Sequence, residues 1–164
     1  MAKKYKVSSG IQKVKRNFMI AKTVLFITPV ICYFYISLRA MMYGMDFQQV
    51  LIQEPQITII FLIAMVNPYI AYLVHLIQQK LAQGKKNFVL VNMFLLLVAE
   101  ALMLNVFYFI ILAYVFYGAI KYYELPLFSS FTPFRMKPLL FHAGGSLFVI
   151  LISSICLFAT IRLM

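Results

Sequence analysis

The chain has no tryptophan, only two cysteines and only four acidic residues among its 164. Each shortage removes a class of chemistry. The single aspartate, Asp46, lies in a polar stretch between apolar runs, so a membrane-embedded aspartyl dyad cannot be assembled. Cys32 and Cys156 both sit inside apolar runs, where cysteine behaves as a small hydrophobe. They provide neither a disulfide framework nor a C-x-x-C pair. The two histidines, His75 and His142, fall near opposite ends of their apolar segments, too far apart to share a zinc ion, and no H-E-x-x-H occurs. There is no glycine-rich phosphate loop. Gly144-Gly145-Ser146 beside His142 lacks an oriented base, and its small residues fit a helix crossing better than a nucleophile. No catalytic residue, metal or cofactor is expected, and the chain reads as non-enzymatic.

Charge is also scarce. Only 12 % of residues are charged and 64 % are hydrophobic, against about a quarter and about half in ordinary soluble domains. A fold in water would have too little polar surface to cover that core, so the solvent must be lipid. Without tryptophan, tyrosine and phenylalanine must supply any interfacial belt.

What is present is four apolar runs, each able to cross a hydrocarbon layer of about 30 Å. Spans are predicted at about 22–43, 56–79, 88–117 and 139–162. The expected fold is an all-α membrane protein, a single domain over 1–164 with four transmembrane helices in an antiparallel bundle, N-in/C-in. Orientation follows from charge. With the N-terminus inside, eleven Lys and Arg flank the spans on the cytoplasmic side and four, Arg39, Lys121, Arg135 and Lys137, lie outside.

Residues 1–21 form a basic lead-in with Ile11, Val14 and Phe18 on one helical face. Lys13, Lys15 and Arg16, with Lys85 and Lys86 of the second basic stretch, are the expected contacts to anionic headgroups. The lead-in is short and carries no recognition module, so nucleic acid is not an expected partner.

Polar residues inside the spans mark a midplane site. In span two, Pro68 frees the carbonyl of Ala64, which Asn67 can reach. In span three, Glu100 lies about 18 Å in from Phe88. A charged group at that depth costs about 3 kcal/mol or more. Glu100, Asn67 and Pro68 are therefore the candidate polar site. In span four, Ser146, Val149, Ser153, Cys156 and Thr160 alternate by three and four and form a small-residue packing seam. Between spans three and four, 118–138 holds three prolines with Tyr122, Tyr123, Phe128, Phe131 and Phe134, and reads as an outer docking loop.

These features point to an integral-membrane accessory, regulatory or protective (immunity-like) subunit that docks to another membrane protein or to itself. The alternative is a small oligomeric transporter, channel or lipid-handling protein working at Glu100 and Asn67. Lysine outnumbering arginine, together with the compact loops, suggests a multi-pass protein of a bacterial plasma membrane.

Overall fold

A computed structural model describes residues 2–123, 125 and 144–163, with side chains from residue 10 onward. The described residues form helices and no strand. The helices are α1 (Ala2–Tyr43), α2 (Phe47–Gln53), α3 (Pro55–Ala82), α4 (Lys86–Leu102), α5 (Val106–Tyr123) and α6 (Gly144–Leu163). Four segments are long and apolar enough to cross a membrane: Gly10–Tyr43, Pro55–Ala82, Val106–Tyr123 and Gly144–Leu163. The chain is a multi-pass membrane protein by length and composition, and its outward face agrees. Phe26, Phe34 and Met41 on α1, Phe107, Ile110 and Tyr114 on α5, and Leu151, Ile155 and Phe158 on α6 are all exposed.

The basic lead-in is continuous with the first span instead of lying apart from it. Helix α1 runs unbroken for 42 residues, about 63 Å at 1.5 Å per residue, and carries Pro29 internally. The apolar face of the lead-in is covered by protein: Val14 and Phe18 are fully buried in the main core cluster. The polar stretch after it is not all loop. Asp46 opens α2, its backbone N–H donating to Gln49 Oε1 at 3.0 Å, and Thr58 Oγ1 ties α3 to the Leu51 carbonyl at 2.5 Å.

The largest departure from the sequence pattern lies in the third run. One span is predicted over 88–117, and the structure forms two helices, α4 and α5, that fold back on each other. The break is a helix-terminating hydrogen-bond pair. Asn105 N–H donates to the Glu100 carbonyl and Leu104 N–H to the Ala101 carbonyl, both at 3.1 Å, with Leu104 at φ +55°. The same bond pair ends α1 at Gly44 and α3 at Gly84, both also at positive φ. Asn105 then starts α5, its carbonyl accepting from Phe109 N–H at 3.0 Å.

This reversal redirects everything after it. Helix α5 descends along α1: Tyr108 meets Thr28, Gly118 meets Val14, and Tyr122 covers Gly10 so closely that a Cβ there would enter its ring. Helix α3 is also antiparallel to α1, Lys22 reaching Gln78 and His75. Helix α6 begins with Gly145 against Tyr69 and Leu73 of α3 and ends with Thr160 and Leu163 beside Gln56 and Ile59. It therefore runs in the direction of α1, and Leu163 lies at the Gln56 end, away from Gly10. The predicted C-in return requires the opposite direction.

Two cores result. The main cluster joins α1, α3, α4, α5 and α6 around Phe18, Leu25, Ile70, Leu90, Met93, Leu96 and Leu112. The second, toward the Glu54 end, is smaller and is built on the buried Cys32, Ile36, Ala40, Val50, Ile57 and Ala64 from α1, α2 and α3.

Candidate functional site

The division into two cores has a simple cause. Helices α4 and α5, at 17 and 18 residues, are each about 26 Å long, shorter than the 28 residues of α3. Their shared tip, Met103-Leu104-Asn105, stops beside Ile60 and Ile63 and leaves space above it. That space is a cleft of about 430 Å3 between α1, α3 and the tip. It is lined by Thr28, Ile31, Cys32, Tyr35, Ile60, Ile63, Ala64, Asn67, Met103, Leu104, Asn105 and Tyr108. Its size falls within the range of small-molecule sites, and its wall is mostly apolar with a few polar groups.

Those polar groups differ in how well they are satisfied. Thr28 Oγ1 donates to the Val24 carbonyl at 2.9 Å and accepts from the Tyr108 hydroxyl at 2.6 Å, so this pair is settled. Asn67 is fully buried, and neither its Oδ1 nor its Nδ2 has a partner. The expected service of Asn67 to the Ala64 carbonyl is not made, although Pro68 lies within an unbroken α3. An amide can make four hydrogen bonds, and leaving a buried one unmade costs about 1–3 kcal/mol.

Glu100 is also fully buried, and neither carboxyl oxygen has a partner. It lies on α4 one turn before the tip and does not line the cleft. No hydrogen bond joins it to Asn67, so the two expected members of the midplane site are not linked. Nor does it use the serines of the last helix. Ser146 Oγ donates to Asn92 Oδ1 at 2.7 Å, while Ser153 bonds the Val149 carbonyl of its own helix. Asn92 shows what a settled amide looks like here, since its Nδ2 also donates to the Phe88 carbonyl at 2.9 Å.

The remaining predicted residues are distributed as follows. Ser146, Val149, Ser153 and Cys156 are buried where α6 meets α3 and α4, and Thr160 is half-buried. Tyr122 and Tyr123 belong to α5 and pack against the main core at the Gly10 end. Phe128, Phe131 and Phe134 lie outside the described residues. Lys13, Lys15, Arg16 and Lys85 are exposed, and Lys86 is half-buried in the first turn of α4. Among the described residues no three of His, Cys, Asp and Glu come together.

Thr28, Tyr108, Leu104 and Asn105 are cleft residues that the sequence pattern did not single out. Only Asn105 carried a signal, as a residue type favoured where helices begin. Comparison with family models, curated proteins and solved structures gives no match.

Proposed function

We propose that this protein is a non-enzymatic, lipid-facing binding protein. Its cleft above the α4–α5 tip takes an amphiphile from the hydrocarbon phase: an apolar chain bearing one hydrogen-bonding head such as a hydroxyl, ester or amide. The observation that carries this reading is Asn67, a fully buried amide with no partner, in the wall of a mostly apolar cleft. In hydrocarbon, no water is on hand to satisfy such an amide, so a polar group arriving with a ligand gains a full hydrogen bond.

The accessory-subunit reading keeps less support. The α6 seam is used within the chain, and Tyr122 and Tyr123 pack against the core. Charge supports an orientation with the Gly10 end in the cytoplasm. Lys13, Lys15, Arg16, Lys22, Lys80, Lys85, Lys86 and Lys121 belong to that end, against Arg39 and Arg162 at the other, eight to two among described side chains. The end of α6 then faces outward.

The test is photolabelling of the full chain in nanodiscs with a diazirine-bearing monoacylglycerol, mapped by peptide mass spectrometry. Label concentrated on 60–67 and 103–108, and reduced several-fold by Asn67→Leu or by filling the cleft with Ala64→Phe, is the expected result. Label spread evenly over Phe26, Phe34 and the other exposed α1 residues, and unmoved by either change, would defeat the proposal.

A further inference from the structure

A second groove lies at the other end of the molecule, and three of its six lining residues are cationic with none acidic. On α1, Gln12, Lys15, Arg16 and Met19 follow i, i+3, i+4, i+7 spacing and so share one helical face. With Lys13 and with Gln78 of α3 they enclose about 630 Å3. Among the described residues none of Lys13, Lys15 and Arg16 has an ion-pair partner. The same stripe continues to Lys22, one turn deeper and half-buried. Lys22 Nζ donates to Gln78 Oε1 at 2.7 Å and lies 3.3 Å from His75 Nδ1, leaving its third N–H uncommitted. Because Gln78 gives its oxygen to Lys22, its two amide N–H donors remain for a ligand.

We infer that this groove between α1 and the C-terminal half of α3 binds the phosphate of an anionic lipid headgroup. Ammonium, guanidinium and amide donors converge there, which suits an acceptor-only oxyanion, and the Arg16 fork can grip two phosphate oxygens at once. Position selects a lipid over a free anion. The exposed apolar surface begins at the groove itself, with Met19 64 % and Ile20 51 % exposed and Phe26 two turns further along. A phosphate held by Arg16 and Lys15 therefore leaves its acyl chains alongside these residues. The site is a defined groove, separate from the lysines at the start of α4, and does not depend on the cleft above the tip.

Native mass spectrometry of the full chain in detergent, titrated with dioctanoyl phosphatidylglycerol and dioctanoyl phosphatidylcholine, tests this. The anionic lipid is expected to bind preferentially. Lys15→Gln and Arg16→Gln, both surface changes, should each weaken it about fivefold, the effect of about 1 kcal/mol per basic residue near an anionic headgroup. Lys22→Gln should weaken it similarly and Lys22→Arg restore it. Lys85→Gln, with the same loss of charge at an exposed site, should change it less than twofold. An equal loss in Lys85→Gln would mean diffuse attraction and overturn the site. Displacement of the lipid by millimolar inorganic phosphate would overturn the headgroup assignment in favour of a free anion.

Discussion

Leu104 offers a direct test of the hairpin, because glycine has opposite effects in the two backbones this stretch can adopt. At φ +55° the Cβ of any ordinary residue crowds the following carbonyl, at a cost of about 1 kcal/mol or somewhat more. Glycine has no such cost, which is why Gly44 and Gly84 occupy the matching positions at the ends of α1 and α3. In the interior of a continuous helix, by contrast, glycine is worse than alanine by about 1 kcal/mol. Comparing Leu104→Gly with Leu104→Ala removes the leucine side chain from both, so loss of its packing cancels. That packing is modest in any case, since the side chain is 56 % exposed. The hairpin therefore predicts the glycine variant to be the more stable by about 1 kcal/mol, and a single helix over 88–117 predicts it to be the less stable by about the same amount.

The two outcomes are separated by about 2 kcal/mol, roughly thirtyfold in the unfolding equilibrium. That gap is resolvable by reversible unfolding in mixed dodecyl maltoside and SDS micelles, followed by far-ultraviolet circular dichroism. Glycine less stable than alanine, or equal to it, refutes the break at Leu104. The cleft above the tip and the reversed direction of α6 would then fail together, because both follow from that break.

Two further perturbations address direction and orientation. Gly10→Ala should destabilise the protein by about 1–3 kcal/mol in the same assay, because its Cβ meets the Tyr122 ring, and adding Tyr122→Ala should restore most of that loss; no effect of Gly10→Ala would show that α5 does not end beside the start of α1. In a background lacking Cys32 and Cys156, Arg162→Cys is expected to react with an impermeant maleimide on intact cells and Lys85→Cys only after permeabilisation. Protection of both, as an N-in/C-in chain requires, would overturn the proposed orientation.

The spans themselves were legible because length and apolarity suffice to mark them: the second lies close to α3, and the first ends with α1 at Tyr43 although α1 begins well before it. The break was not legible for a physical reason. Met103-Leu104-Asn105 contains neither glycine nor proline, and apolar residues flank it on both sides, so nothing interrupts the run that the pattern detects. The identical bond pair at Gly44 and Gly84 was readable because glycine announces a positive φ. For the same reason Glu100 looked like the centre of one long span, when it lies one turn below a tip and away from the cleft that Asn67 lines. A missed reversal is also not a local error. A reversal of helix direction carries the helix after it back toward the other end, so one unseen turn placed Tyr122, Tyr123 and Lys121 at the wrong end of the molecule. The charge pattern fits the proposed orientation. Lys121, Arg135 and Lys137, three of the four cations that a four-span chain leaves outside, all follow the third run. A cluster of exceptions downstream of one point is what a single uncounted reversal produces, and hydropathy alone cannot reveal it, because hydrocarbon accepts a helix equally well in either direction.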